Sequence, residues 1–335
     1  MPYLVEFFFI LVGFVLLVVG ADKLVEAASN IAVRFGMPER VIGLTIVALG
    51  TSLPELVVSV TSGVAGHADM VFGNVVGSCL ANILLILGIS SLIAPIPLAR
   101  STRRFEIPAS IASVAVLLVF ANTGGSISLV EGVAMLVLFA AFMIRSAMVG
   151  MRAKRSVDME DVEPLEPRVE VQPAAHEEKA SAAQKSNILF DVVVIAVSIV
   201  LLKFGADFVV DNAVVVASGL GVSERVVGIT VVALGTCLPE LVTGAVAALK
   251  GNTEIAVGNV IGSNVANVLL VVGAPALFSP VAYDAAYNFD FVLLLIFTTA
   301  LLLCALRHPR NRMTRVDGIA FTLLYVAYIV ASMLR

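Results

Sequence analysis

The stretch ALGTSLPELVVS, residues 48–59, places a threonine, a serine, a proline and a glutamate within a segment that is otherwise apolar enough to lie in a lipid bilayer. Nearly the same letters, ALGTCLPELVTG, return at residues 233–244, 185 positions later. A charged side chain at the centre of a membrane helix costs roughly 2.5–3.5 kcal/mol even on the lenient insertion scale for Asp, Lys and Arg. The repetition of so costly a pattern indicates a function that needs both copies.

The composition around these stretches is that of an integral membrane protein. Hydrophobic residues make up 59% of the 335-residue chain and charged residues only 14%, and the mean hydropathy is +1.03. A membrane-spanning helix needs roughly 20 apolar residues, so we predict an all-α membrane protein with about ten transmembrane helices. The predicted spans are 3–33, 40–65, 71–94, 106–121, 128–149, 188–218, 226–250, 255–279, 289–306 and 316–334. The lipid bilayer is therefore the expected partner, and nothing in the sequence implies nucleic acid or an obligate protein partner.

The distribution of basic residues predicts the orientation. With the N-terminus outside, the outer loops hold little beyond Arg225 and Arg335. The cytoplasmic loops then hold Arg34, Arg40, Arg100, Arg103, Arg104, Arg152, Lys154, Arg155, Arg168, Lys179, Lys185, Lys250, Arg307, Arg310, Arg312 and Arg315. Because Lys and Arg accumulate on the cytoplasmic side, we predict a multi-pass protein of the plasma (inner) membrane with both termini outside.

A polar segment, residues 151–187, divides the chain. It mixes acidic and basic side chains with Pro164, Pro167 and Pro173, and such a composition cannot bury enough apolar surface to fold alone. We predict a flexible cytoplasmic linker between two units, residues 1–150 and 188–335.

The two units are copies of each other. Residues 43–90 and 228–275 align without gaps and are identical at 23 of 48 positions. With five spans in each unit, the copies must cross the membrane in opposite directions. Inverted repeats with broken helices are typical of secondary transporters, whose site lies at the midplane where the repeats meet.

The prolines of the repeated stretch predict that its helices are broken. Pro54 and Pro239 cannot donate a hydrogen bond to the carbonyl four residues back, and Gly50 and Gly235 make local unwinding easier. The backbone carbonyls released in this way can serve as cation ligands, and we expect those of Ala48 and Ala233 to be among them. Glu55 and Glu240 lie beside them with no Lys or Arg in either motif, so the natural counter-charge is a cation that binds and leaves.

The span that follows each broken helix carries a polar stripe. Asn74, Ser78 and Asn82 are spaced i, i+4, i+8 on one helix face, and the second unit repeats them as Asn259, Ser263 and Asn267. Together with Thr51 and Thr236, these side chains supply the oxygen ligands that suit Ca²⁺, which takes six to eight of them, and smaller subsets suit Na⁺. The competing interpretation of a single Ser, Thr or Asn in a membrane is a hydrogen bond between helices.

At this point the motifs show a family resemblance. The paired GTSLPEL and GTCLPEL, with GNVVGSCLANILLILG and GNVIGSNVANVLLVVG, resemble the alpha repeats of the calcium/cation antiporter superfamily, and in particular its prokaryotic sodium/calcium exchanger branch. The resemblance implies an antiporter, not an enzyme, that exchanges Ca²⁺ for Na⁺ by alternating access and needs no cofactor beyond its transported ions. It also implies that spans two, three, seven and eight form the core, against which spans 3–33 and 188–218 slide.

The resemblance also assigns roles to residues. It implies that Glu55 and Glu240 bridge a central Ca²⁺ and also serve Na⁺ sites. The ligands it implies beside them are Thr51, Thr236 and the carbonyls of Ala48 and Ala233, with Ser78 and Ser263 at flanking Na⁺ sites and Asn82 and Asn267 at the middle position. Potassium-dependent relatives tend to carry Asp at the position of Asn267, so the resemblance implies potassium independence. Cys237 stands where the first repeat has Ser52, and this position is not counted among the ligands.

Three alternatives are weighed against this function. Glu55 and Glu240 could carry protons themselves, although the resemblance implies otherwise, because proton exchangers of the superfamily typically show a GNA-type motif where this chain has GTS and GTC. A cation channel could use the same oxygen ligands, but inverted repeats around a midplane site favour alternating access. No HExxH or Ser–His–Asp arrangement appears in the sequence, which argues against a membrane-embedded hydrolase.

Overall fold

The computed structural model describes residues 3–157, 187–220, 233–307 and 311–334, and the described part is almost entirely helical. In the first half of the chain the helices are α1 (Leu4–Phe35), α2 (Glu39–Thr51), α3 (Leu53–Val64), α4 (Ala68–Ile93), α5 (Thr102–Gly124) and α6 (Leu129–Val157). In the second half they are α7 (Ile188–Gly219), α8 (Ala233–Thr236), α9 (Leu238–Leu249), α10 (Thr253–Leu277), α11 (Ala285–Leu306) and α12 (Arg315–Leu334).

The described helices confirm the predicted fold class. Eight of them are long and apolar enough to cross a membrane, and α2 with α3, bent by 45° at Ser52, makes a ninth span. The remaining predicted span, 226–250, is described from Ala233 onward, where α8 and α9 lie, and its earlier residues fall outside the described part. Most of the predicted 151–187 linker also falls outside it.

Two helices begin four residues earlier than the sequence predicted. The fourth span begins at Thr102 instead of residue 106, and the ninth at Ala285 instead of residue 289. The fourth span begins with a polar π-helical turn, Thr102–Glu106, which contains two arginines, and the ninth begins with a short 3-10 turn, Ala285–Tyr287. Hydropathy marks the part of a helix that lies in lipid, and a helix can extend beyond it.

Two short antiparallel strand pairs join the halves of the chain. β1 (Ile96–Pro97) pairs with β4 (Arg312–Met313), and β2 (Ser126–Ile127) pairs with β3 (Val281–Ala282). The pairs correspond to each other at the offset of 185, within one residue. Paired strands must lie on the same side of the membrane, so the chain crosses an even number of times between β1 and β4. Five described spans lie between them, and a crossing at the predicted span 226–250 makes the number even.

The centre of the bundle is formed by α4 and α10. In their apolar stretches 72% and 94% of the residues are buried. Close packing on α10 depends on glycines: a Cβ atom at Gly258 would lie 2.2 Å from the carbonyl oxygen of Arg40, and one at Gly262 would lie 2.4 Å from that of Leu44. These contacts hold α10 against α2, and they place the second repeat's polar stripe beside the first repeat's broken helix.

α1 and α7 form a separate antiparallel pair at one side of this core. Gly13 packs directly on Gly205 where the two helices cross. Phe9 and Phe208 meet edge to face at 5.6 Å, and Asn30 donates a hydrogen bond of 3.4 Å to Asp191 near the other end of the pair. The two helices that the resemblance assigns to sliding therefore pack together along their whole length.

Candidate cation-binding site

Two buried carboxylates lie at the two breaks. Glu55 and Glu240 stand in the first turns of α3 and α9, directly after Pro54 and Pro239. Each glutamate is 1% exposed, and the two are close enough to repel each other. None of their four carboxylate oxygens has a hydrogen-bond partner among the described residues, and none of the ion pairs found there includes them. Because a buried charge without a partner is strongly unfavourable, the two carboxyl groups need to be neutralised, either by a bound cation or by protons.

Thr51 connects the two repeats at this point. Its hydroxyl donates a hydrogen bond of 3.1 Å to Oδ1 of Asn259 on α10 and lies beside the Glu240 carboxylate. From the same helix α10, the Ser263 hydroxyl lies 3.5 Å from the carbonyl oxygen of Ala48. The polar stripe of the second repeat thus faces the broken helix of the first repeat, and the oxygens of both surround one region.

The carbonyl of Ala48 differs from expectation. It still accepts a helical hydrogen bond of 3.0 Å from the Ser52 N–H, because the helix breaks after Ser52 and the proline affects the carbonyl of Gly50 instead. The hydroxyls of Thr51 and Ser263 also lie 3.4 and 3.5 Å from this oxygen, so a cation at the Ala48 carbonyl would replace these weaker contacts. The Ser52 hydroxyl is buried and has no hydrogen-bond partner among the described residues.

In the first repeat, one residue of the polar stripe on α4 makes hydrogen bonds within its own repeat. Asn74 donates hydrogen bonds to the backbone oxygen of Glu55 at 3.4 Å and to the Ser59 hydroxyl at 3.2 Å. Ser78 lies beside the thiol of Cys237, which is itself within electrostatic range of both glutamates. The thiol therefore stands in the ring of candidate ligands at the place where the first repeat has a hydroxyl.

Asn82 and Asn267 lie at corresponding irregularities of the helices. Each stands at the start of a π-helical turn, Ala81–Ile86 and Asn267–Val271, and such turns are frequent at functional sites. Oδ1 of Asn82, and both amide atoms of Asn267, are buried without a hydrogen-bond partner among the described residues. These groups are therefore available to a cation.

The last two predicted residues lie where the described part of span seven begins. Thr236 ends the short turn α8 and contacts the sulfur of Cys237 at 3.9 Å. Ala233 is the first residue of the same turn, seven residues and about two helical turns before Glu240.

One polar residue was missed by the sequence reasoning. Asn264 is 2% exposed and accepts a hydrogen bond of 2.9 Å from Nδ2 of Asn82. The alignment of the repeats gives a signal for it, because Asn264 stands opposite Cys79 directly after the matching GNVxGS segment. A buried polar residue at a position where the two copies of a motif differ is a candidate for a role that only one repeat carries.

Broken helices that bring two buried carboxylates together within a bundle of apolar spans define a secondary transporter. The family model described as sodium/calcium exchanger protein matches residues 5–148 and 190–334, and the chain belongs to this family. It is therefore a multi-pass membrane antiporter.

Individual relatives span almost the whole chain. The putative antiporter CaxA of Alkalimonas amylolytica is 35% identical, covering 97% of this chain and 98% of the relative. The sodium/calcium exchanger MaX1 of Methanosarcina acetivorans is 30% identical over 97% and 98%, and the inner membrane protein YrbG of Escherichia coli (strain K12) is 34% identical over 90% and 89%. The structure of the sodium-calcium exchanger NCX_Mj soaked with Na⁺ and Sr²⁺ superposes with a TM-score of 0.80 at 29% identity, covering 98% of this chain and 99% of that one.

Proposed function

We propose that this antiporter exchanges Ca²⁺ for Na⁺ by alternating access around a midplane site between its two five-helix repeats, residues 1–150 and 188–335. The observation that carries the proposal is the pair of buried carboxylates, Glu55 and Glu240, whose oxygens have no partner among the described residues. One Ca²⁺ or two Na⁺ neutralise a pair of negative charges. Ca²⁺ and Na⁺ therefore compete for the same oxygen ligands, and this competition allows one ion to be exchanged for the other. The name of MaX1, a sodium/calcium exchanger, supports the choice of ions.

In this proposal Glu55 and Glu240 bridge the central Ca²⁺ and also serve Na⁺. The other ligands are the hydroxyls of Thr51, Thr236, Ser78 and Ser263, the amide oxygens of Asn82 and Asn267 and the carbonyls of Ala48 and Ala233. The neutral Asn267 favours potassium independence. The basic loops favour an inner-membrane protein with both termini outside and the linker, residues 151–187, in the cytoplasm, and the name of the inner membrane protein YrbG agrees with this location.

An asymmetry between the repeats supports alternating access. On α9, Leu238 and Val242 pack against the buried cluster formed by α1 and α7. Their counterparts on α3, Leu53 and Val57, are 45% and 57% exposed. One face of the site is thus covered by the α1/α7 pair while the other is not. If the α1/α7 pair shifted toward α3, it would cover the face that is now open and uncover the other. In the proposed orientation the covered face is the cytoplasmic one.

Transport assays test the exchange directly. We expect uptake of ⁴⁵Ca²⁺ into proteoliposomes loaded with Na⁺, and no uptake above background into liposomes loaded with choline at the same pH. An imposed proton gradient without Na⁺ should not drive uptake. Uptake driven by protons alone would replace the proposal with proton/calcium exchange, and non-saturating uptake independent of any counter-ion would indicate a channel.

An ion pair holds α1 against the end of α9 at the covered face of the site. Lys250, at the end of α9, binds Asp22 on α1, with Nζ 2.7 Å from Oδ1 and 2.9 Å from the backbone oxygen. The counterpart of Lys250 in the first repeat is Ala65, and the counterpart of Asp22, Asp207, pairs with Lys203 on its own helix instead. The ion pair is therefore available to only one of the two closed arrangements.

Removing this ion pair should shift the balance between the two faces. A partly exposed ion pair contributes about 0–1 kcal/mol, so we expect Lys250→Met to change the ratio of the half-saturating Ca²⁺ concentrations at the two membrane faces by up to about fivefold. The measurement is Ca²⁺ uptake by right-side-out and inside-out vesicles. Lys203→Met, which breaks an ion pair within one helix, is the matched control and should leave the ratio unchanged. An unchanged ratio in Lys250→Met would show that the ion pair does not stabilise the arrangement in which the α1/α7 pair covers α9.

A further inference from the structure

Asn264 is fixed by groups on both ends of its amide. Its Nδ2 donates a hydrogen bond of 3.2 Å to the backbone carbonyl oxygen of Cys79 on α4. A carbonyl oxygen can only accept, so this contact determines which end of the Asn264 amide faces α4. The opposite end, Oδ1, must then face Asn82, from whose Nδ2 it accepts the hydrogen bond of 2.9 Å.

The orientation of Asn82 follows from that of Asn264. An acceptor at Oδ1 of Asn264 requires a donor, so the NH₂ group of Asn82 points toward Asn264 and its Oδ1 points away. This Oδ1 atom is buried and makes no hydrogen bond with any described residue. A backbone carbonyl on α4 therefore sets, through two side-chain amides in sequence, which end of Asn82 remains free.

The corresponding group in the second repeat lacks this arrangement. The counterpart of Asn264 is Cys79, and Asn267, the counterpart of Asn82, lies beside the Cys79 thiol. The thiol is within hydrogen-bonding reach of this amide, and neither amide atom of Asn267 has a stronger partner among the described residues. A thiol is a weak donor and a weak acceptor, so it does not hold an amide in one orientation as a second amide does.

We infer that Asn264 is a positioning residue that presents the Oδ1 atom of Asn82 to the transported cation, and that the two middle asparagines are therefore unequal. Asn82 offers a fixed oxygen ligand, whereas Asn267 can turn either end of its amide toward the site. The inference rests on the proposed function, because it assumes that the transported ion is a hard cation. Such a cation binds oxygen ligands and is repelled by an NH₂ group.

Asn264→Leu tests the inference, since it keeps a similar volume and removes both hydrogen bonds. Asn82 is then free to turn its NH₂ group toward the cation. We expect the Ca²⁺ concentration for half-maximal Na⁺-driven uptake to rise about tenfold, which corresponds to about 1.4 kcal/mol, with a smaller change in the maximal rate. Asn264→Cys, which copies the residue of the first repeat, should act in the same direction and serves if the leucine variant does not fold.

Asn82→Asp separates positioning from general stability. A carboxylate presents an oxygen in either orientation, so on this background Asn264→Leu should change the half-maximal Ca²⁺ concentration by less than about twofold. Equal effects of Asn264→Leu on both backgrounds, or no effect on either, would overturn the inference. Asn212→Leu, which removes an amide hydrogen bond of 2.8 Å within α7, is the control and should leave Ca²⁺ uptake unchanged.

Comparing Asn264→Leu on the unaltered and Asn82→Asp backgrounds also separates this inference from the function on which it rests. If the unaltered protein takes up no Ca²⁺ in exchange for Na⁺, the proposed function is wrong. If the unaltered protein does so and the two backgrounds respond equally, the exchange stands and only the role of Asn264 is rejected.

Discussion

Replacing Glu55 or Glu240 by glutamine is expected to abolish Ca²⁺ transport while the protein still folds. Each substitution removes one of the two negative charges that balance a divalent ion and keeps the size of the side chain. We expect the initial rate of Na⁺-driven ⁴⁵Ca²⁺ uptake to fall at least about 100-fold, which corresponds to a loss of roughly 2.7 kcal/mol. Loss of one buried, unpaired charge should not destabilise the fold, because such charges are costly at membrane depth.

The control for this prediction is Glu26→Gln. Glu26 is an exposed carboxylate on α1 that binds Lys23 at 2.8 Å, and its removal should leave the uptake rate unchanged. Thermal unfolding and gel filtration in detergent establish that each variant is folded. Transport at the rate of the unaltered protein in both Glu55→Gln and Glu240→Gln would remove the two carboxylates from the site.

Gly262→Ala is expected to damage the site through its backbone. The added Cβ atom would lie 2.4 Å from the carbonyl oxygen of Leu44 and 2.7 Å from Cβ of Ala48. Both distances are far below van der Waals contact, and the first neighbour is backbone, so α2 must move away from α10. Such overpacking costs about 1–3 kcal/mol, and the movement separates the Ala48 carbonyl from the Ser263 hydroxyl.

We therefore expect Gly262→Ala to lower the melting temperature in detergent and to raise the half-maximal Ca²⁺ concentration about tenfold. Gly124→Ala, at the end of α5, is the matched control, because no described atom lies within 4 Å of the added Cβ. A Gly262→Ala protein with unchanged stability and unchanged Ca²⁺ dependence would show that the contact between α2 and α10 does not set the geometry of the site.

The membrane spans and the two acidic positions could be predicted from the sequence because their signals are local. Apolar length marks a span, as at 188–218, which is observed as Ile188–Gly219. A proline followed by a glutamate within such a length marks a broken helix with a charge at its start, and the observed α3 and α9 both begin in this way. Each of these signals occurs twice in the chain, at a constant offset of 185 residues.

Backbone carbonyls were harder to predict than side chains. The sequence placed the carbonyl of Ala48 among those released by the break, whereas the structure retains its hydrogen bond from Ser52. The position of a helix break to within one turn depends on the neighbours that pack against it, here α10 and its glycines. A proline specifies the carbonyl four residues back, here that of Gly50, but not whether the break extends to a neighbouring carbonyl such as that of Ala48.

The sequence by itself determined the class of membrane protein, the duplicated unit and the pair Glu55 and Glu240, because each of these depends on residues adjacent in the chain or on comparison of the copies. Only the tertiary structure decided how the copies differ. Thr51 meets Asn259 across 208 residues and Asn82 meets Asn264 across 182, and these contacts depend on the packing of the whole bundle. Since the α1/α7 pair packs on α9 and leaves Leu53 and Val57 of α3 exposed, similar motifs lie in unequal surroundings, as the proposed alternating access requires.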